Sequence, residues 1–166
     1  MAICNPSDLK AQLPAGARLM GLDVGTKTIG LALSDTRLVI ASPLRTIHRK
    51  RFREDVADLF AEITKHQVGA LVVGLPISLD GTEGPRCQSI RQFAKNVLEL
   101  YDLPLAFWDE RLSTAAVTRG MLEADLTRKR RAEIVDRAAA AYILQGLLDR
   151  LSHLDVVACD PKAPTL

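Results

Sequence analysis

A carboxylate stands where a buried strand should carry another aliphatic side chain. The run Leu19-Met20-Gly21-Leu22-Asp23-Val24 is otherwise apolar, breaks at Gly25-Thr26-Lys27 and resumes as Ile29-Gly30-Leu31-Ala32-Leu33. This pattern predicts two strands, 18–24 and 28–34, joined by a tight turn. An ionised Asp in that setting is costly unless a cation or hydrogen-bond donors meet it. Two more acids recur in comparable contexts: Glu110 directly after an apolar run, and Asp136 inside a predicted helix. Three carboxylates from three separate elements point to a divalent-metal site.

The remaining periodicity fills in an α/β domain. With 166 residues, 48% of them apolar, the chain can bury one core. Residues 1–17 hold Pro6, Pro14 and Gly16 without a sustained period and are expected as a flexible N-terminal extension. A third strand is predicted at Leu38-Val39-Ile40-Ala41. A helix over 51–66 follows, with Phe52, Val56, Leu59, Phe60 and Ile63 at helical spacing. The continuous apolar run at 70–75 reads as a strand buried on both faces. A loop over 76–85 leads to a helix at 86–101, a strand at 105–108 and a short helix at 114–124. A basic loop at 127–131 precedes the last helix, 132–150. The folded unit is therefore 18–150, with 151–166 as a C-terminal tail that turns to coil after His153. Three meander strands followed by helix, strand, helix, strand, helix imply a mixed five-stranded sheet with helices on its faces. That is the element order of the ribonuclease H-like fold.

Charge and cysteine usage narrow the setting. The net charge of +2 names no partner, but the basic residues are clustered. Cys4, Cys87 and Cys159 form no CxxC pair and are odd in number, so neither a disulfide framework nor a zinc site is indicated. His48, His66 and His153 lack ligand spacing. The start of the chain lacks a basic segment followed by an apolar core, and no apolar run reaches membrane-spanning length. A reduced, cytoplasmic location is expected, with no membrane partner.

The acids deserve weighing one by one. Asp23 shares its strand face with the small Gly21 and Gly25, which leaves room for a ligand. Asp109 and Glu110 are adjacent, so only one can point toward Asp23 if the strand persists. Asp136 lies on the stripe of Ala139, Ala140, Ile143 and Leu147, the packing side of its helix. Each acid alone has an ordinary explanation. A strand Asp can be held by backbone N–H groups or an Arg, Asp109-Glu110-Arg111 can be a solvated turn, and Asp136 can pair with Arg137. All three in this element order favour a metal site.

The motifs carry a family resemblance. Gly21-Leu22-Asp23-Val24-Gly25-Thr26-Lys27, Val73-Gly74-Leu75-Pro76, Asp80-Gly81-Thr82-Glu83, Asp109-Glu110-Arg111-Leu112-Ser113-Thr114 and Val135-Asp136-Arg137-Ala138-Ala139-Ala140 occur in order. Together, over about residues 18–150, the chain resembles the YqgF/RuvX family, described both as Holliday junction resolvases and as nucleases of pre-16S ribosomal RNA. The resemblance implies the ribonuclease H-like fold. It also implies an acidic site at Asp23, Glu110 and Asp136 that holds Mg²⁺ or Mn²⁺, two ions in all, and hydrolyses phosphodiesters. Lys27 is a candidate to offset phosphate charge, and equally reads as an ordinary solvated turn lysine. Arg111 is a candidate to hold the scissile phosphate or to buttress Glu110.

Two basic clusters accompany the acids. Arg128, Lys129, Arg130 and Arg131 lead directly into the helix that bears Asp136 and are candidates for binding substrate backbone. Arg45, Arg49, Lys50, Arg51 and Arg53 read as a solvated face. Few aromatics lie outside core spacing, so neither stacking platforms nor base readout is indicated. The expected partner is structured RNA or branched DNA, with the chain a monomer or a homodimer. The leading reading is processing of the 5′ end of pre-16S ribosomal RNA, and junction resolution is its alternative. A non-catalytic nucleic-acid-binding module would have no reason to bury three carboxylates together. An actin-like kinase shares the first phosphate-loop pattern but needs a second domain and a second phosphate loop.

Overall fold

Four of the five strands form where alternation and apolar runs predict them. The structure is a computed structural model that describes residues 3–112 and 128–158. β1 (Arg18–Val24) and β2 (Thr28–Ser34) make the predicted hairpin, followed by β3 (Ala41–His48), β4 (Val68–Leu75) and β5 (Leu105–Asp109). Their order in the single sheet is β3-β2-β1-β4-β5. β1 runs antiparallel to β2 and parallel to β4, and β5 runs parallel to β4. The central β4 is buried along its whole length, as its unbroken apolar run requires.

Helices cover both faces. α2 (Phe52–Lys65) and α3 (Pro85–Leu100) lie against one face. The buried stripe of α2, Val56, Leu59, Phe60 and Ile63, follows the i, i+3, i+4, i+7 spacing of an amphipathic helix. The other face carries α4 (Arg128–Ala158), which buries Ala140, Ile143, Leu144, Leu147, Leu148 and Leu151. Each fully buried leucine there contributes about 1.5–3 kcal/mol relative to exposure.

Four expectations need correction. The third strand is β3 at Ala41–His48, not 38–41. The Asp35 carboxylate accepts the backbone N–H of Val39 (2.7 Å) and of Ile40 (3.1 Å), and Leu38 takes a positive φ of 57°. Residues 35–40 are therefore the hairpin loop. Pro43 sits in β3 because this is the sheet edge, beside a register shift at Leu31/Ala32. The basic run 128–131 is not a loop but the first turn of α4. Arg and Lys are good helix formers, and no Gly or Pro breaks the segment. The same helix passes His153 and reaches Ala158, since Pro161 is the first breaker beyond it.

Residues 3–17, expected as a flexible extension, are docked. Cys4 donates its backbone N–H to the Leu105 carbonyl at 2.9 Å. A 3-10 turn, Pro6–Asp8, runs into α1 (Leu9–Gln12), whose Leu9 is fully buried against the α4 core with Leu13 beside it. The exposed Lys10 pairs with Asp155 on the last turns of α4. Two leucines at helical spacing were the available signal, too short to register as a period. The predicted helix at 114–124 lies outside the described residues.

Three glycines let α4 sit on the sheet at backbone distance. A Cβ on Gly21 would stand 2.8 Å from the Ala140 carbonyl oxygen, and one on Gly30 2.1 Å from the Asp136 carbonyl oxygen. One on Gly74 would stand 2.4 Å from Cδ1 of Ile143. The Gly30 contact is with helix backbone, which cannot rotate away. Gly30→Ala should therefore destabilise the fold by roughly 1–3 kcal/mol in denaturant unfolding. Gly84→Ala, whose Cβ would meet open space, should cost less than about 1 kcal/mol. Equal and small losses for both would show that α4 has room to spare at Gly30.

Candidate active site

The candidate acids gather at one rim of the sheet, the C-terminal end of β1, β4 and β5. Asp23 is the penultimate residue of β1 and only 9% exposed. It stands directly opposite Gly30 of β2, and opposed residues of an antiparallel pair share a face. That face is the α4 face, because Gly30 lies under the Asp136 backbone. On the other side of Asp23 the pairing of Leu22 with Val73 brings Gly74 alongside. A Cβ on Gly74 would lie 2.7 Å from Oε1 of Glu110. Asp23 is thus flanked by two glycines, one beneath the helix turn that bears Asp136 and one beneath the Glu110 carboxylate.

Asp136 is held from the sheet. The Thr28 hydroxyl, on the first residue of β2, donates to Oδ2 of Asp136 at 2.5 Å. Among the described residues, no three His, Cys, Asp or Glu side chains already stand close enough to enclose an ion. The donor set is nonetheless all hard oxygen, and the two strand positions that flank Asp23 carry no side chain. Such a set suits Mg²⁺ or Mn²⁺ and not a soft-ligand metal.

Asp109 belongs to a different structure. It pairs with Leu75 in the sheet, one residue out of phase with Trp108 on the α4 face. Arg111 grips it, with Nε at 3.0 Å from both carboxylate oxygens and Nη2 at 2.6 Å from Oδ2. These hydrogen bonds hold the Asp109 carboxyl below the usual carboxylate range. Nη1 of Arg111 also reaches the Ser78 carbonyl at 3.4 Å. The Arg111 charge is already matched by a carboxylate, so the residue acts as a clamp between the end of β5 and the loop after β4. It sits next to Glu110 in the 3-10 turn Glu110–Leu112, and its hydrogen-bond partners are Asp109 and the Ser78 carbonyl.

That loop, 76–84, is ordered by its own contacts. Ser78 N–H donates to the Thr82 carbonyl at 3.0 Å, and Gly81 N–H to the Ser78 carbonyl at 2.8 Å, with Gly81 at a φ of 88° that favours glycine. Thr82 donates from backbone and hydroxyl to Asp80, which holds the Asp80 carboxyl low. Glu83 receives Arg91 at 2.8 and 2.6 Å, and the Arg91 guanidinium lies 4.8 Å from the Phe107 ring centroid.

The cations lie around the same rim. Lys27 is exposed on the β1–β2 turn. Helix α4 begins at Arg128, so Arg128, Lys129, Arg130 and Arg131 start about 8–12 Å along its axis before Asp136, at 1.5 Å per residue. Thr28, Gly30, Gly74 and Arg49 were missed as site residues by sequence reading. The available signal was the hairpin register, since a turn at Gly25-Thr26-Lys27 sets Asp23 opposite Gly30. Nothing in the sequence announces Thr28 as the partner of Asp136, because the contact spans 108 positions. No helix among the described residues is long and apolar enough to cross a membrane.

The chain is similar to known proteins along most of its length. Residues 17–150 match the family described as "RuvX: Holliday junction resolvase". A protein named "Putative pre-16S rRNA nuclease" from Paramagnetospirillum magneticum is 60% identical over 152 residues, 92% of this chain and 98% of that one. A protein of the same name from Rhodobacter capsulatus is 59% identical over 147 residues, 89% of this chain and 92% of that one. Among solved structures, the fowlpox virus Holliday junction resolvase superposes with a TM-score of 0.50 at 14% identity, over 81% of this chain and 99% of that one. That likeness concerns the fold, the ribonuclease H-like sheet. The chain belongs to the RuvX family.

Proposed function

We propose that this chain is a divalent-metal nuclease that hydrolyses phosphodiester bonds, and that its physiological substrate is the 5′ end of pre-16S ribosomal RNA. The observation that carries the reading is Asp23 between its two glycines, with Glu110 over one and the Asp136 turn over the other. Close relatives named as pre-16S rRNA nucleases support the choice of RNA. The family description supports junction DNA as the second reading. A resolvase cutting two strands symmetrically needs two sites, hence a homodimer. Accumulation of 5′-extended 16S precursor on depletion of the protein favours the first reading. Persistent unresolved junctions with normal ribosomal RNA favour the second. Either substrate places the protein in the cytoplasm.

The division of labour follows from position. Asp23, Glu110 and Asp136 would hold Mg²⁺ or Mn²⁺, two ions by the chemistry of the class. When bound, such ions lower the pKa of a water and stabilise the leaving oxygen. Thr28 keeps the Asp136 carboxylate turned toward the rim. Lys27 meets the phosphate charge from the β1–β2 turn. The run from Arg128 to Arg131 attracts the substrate backbone. Cations in the first turn of a helix oppose its dipole, and α4 has no acid in its first turn. An arriving phosphate relieves that conflict.

Cleavage should therefore require Mg²⁺ or Mn²⁺ and stop with a chelator. Asp23→Asn should lower the rate by orders of magnitude while thermal unfolding shows an intact fold. The melting temperature should hold or rise, since crowded carboxylates without metal repel one another. Normal cleavage by this variant would remove Asp23 from the site.

The two neighbouring acids should separate cleanly. Glu110→Gln should be inactive, whereas Asp109→Asn should lose only the Arg111 clamp and retain most activity. The reverse outcome in a side-by-side rate assay would place the wrong acid on the α4 face.

For the α4 run, Arg130→Ala with Arg131→Ala should weaken binding equally on unrelated sequences. The dependence of log K on log salt should fall by about one unit per lost phosphate contact. Unchanged affinity and slope would mark the run as a solvated helix end.

A further inference from the structure

The rim carries a second cationic surface on the side away from α4. The segment joining β3 to α2 is pinned to the turn that follows Asp23. Arg49 donates its backbone N–H to the Lys27 carbonyl at 2.9 Å, and its Nη1 donates to the Gly25 carbonyl at 2.7 Å. Gly25 is two residues from Asp23. The Arg49 guanidinium also lies 3.8 Å from Asp55 and 5.3 Å from the Phe93 ring centroid. Arg49 is thus consumed as a rivet between the two segments.

Its neighbours are not consumed. Asp55, the carboxylate best placed to neutralise them, is 2% exposed. It turns inward to Arg49 and to the backbone N–H of Lys50 at 2.9 Å. Lys27, Lys50, Arg51 and Arg53 are all exposed, and their side-chain charges pair with no carboxylate among the described residues. Glu54 is the one exposed acid in the first turn of α2, and Asp58 stands a turn further along. Four uncompensated side-chain cations against the two exposed acids Glu54 and Asp58, held beside the rim that carries Asp23, is an arrangement that favours a polyanion. A solvated face would not need its loop held by Arg49 to the turn of the acidic site.

We propose that Lys50, Arg51 and Arg53, together with Lys27, form a second contact for the nucleic-acid backbone, on the opposite side of the carboxylates from the start of α4. The inference rests on the nuclease reading of the site. The carboxylates repel phosphate, so a strand crossing them is held from both flanks. The cations contact phosphates and read no bases, because the patch presents no exposed aromatic ring for stacking. Arg49 is a positioning residue that fixes the patch against the β1–β2 turn.

The test uses the full chain carrying Lys50→Ala, Arg51→Ala and Arg53→Ala, without added metal, so that binding is measured without cleavage. The probes are a labelled RNA duplex and a labelled single-stranded RNA, each in two unrelated sequences. Loss of three phosphate contacts should lower the salt slope by roughly 2–3 units on duplex and roughly 2 on single strand. Affinity near 0.1 M salt should fall at least about tenfold, alike for both sequences. The conservative Arg51→Lys with Arg53→Lys should retain affinity, which separates charge from fold. Unchanged slope and affinity in the triple variant would overturn the proposal. So would an equal loss in the conservative variant. A parallel cleavage assay of Asp23→Asn keeps the two claims apart. If that variant is inactive and the triple variant binds normally, only this proposal fails. If Asp23→Asn cleaves normally, the metal-site reading fails, and the binding result still judges the patch.

Discussion

The structure depends on how closely α4 approaches the sheet. Helices on sheets ordinarily stand off by the length of their side chains. Here Gly21, Gly30 and Gly74 remove three of them, and the backbone at Asp136 and Ala140 rests where Cβ atoms would be. The alanines of α4 shorten the gap from the helix side, with Ala139 and Ala140 almost fully buried. Close packing of this kind contributes dispersion contacts along the whole seam. It also brings a helix carboxylate, Asp136, to the rim that Asp23 and Glu110 already occupy, as the proposed site requires. The same glycines that look like weak strand formers are what make a three-element site possible.

Charge is arranged around that seam in an ordered way. Buried and half-buried acids lie at the centre, and the cations nearest to them are already matched. Arg111 is matched to Asp109 and Arg49 to Asp55. These pairs tie the 76–84 loop and the β3–α2 segment to the rim. The cations Lys27, Lys50, Arg51 and Arg53, which pair with no carboxylate among the described residues, lie further out. Matched pairs give rigidity where the acids must be held, and free charges supply the attraction that overcomes the repulsion between those acids and a phosphate backbone.

Much of this was legible in the sequence, and the gaps have physical causes. β1, β2, β4 and β5 follow from apolar runs bounded by turn residues, and Asp23 declares itself by interrupting one. Alternation says that only one of Asp109 and Glu110 can face Asp23, and the family resemblance is what selects Glu110. Leu38-Val39-Ile40-Ala41 has strand composition but forms a loop, because the Asp35 carboxylate captures the N–H groups that a strand would pair. The basic run looks like a loop because it has no apolar period, yet nothing in it opposes a helix. Leu9 and Leu13 are too few to make a pattern, although burial of Leu9 docks the N-terminal segment. The roles of Thr28 and Arg49 depend on contacts between segments and leave no local trace.

The central claim is that Asp23, Glu110 and Asp136 act together on one metal centre. Anomalous diffraction from crystals of the full chain soaked in Mn²⁺ tests it most directly. The account predicts manganese in direct contact with oxygens of all three carboxylates, with Thr28 still bonded to Asp136. Manganese bound elsewhere, or bound to Asp23 with Glu110 and Asp136 both uninvolved, would contradict it.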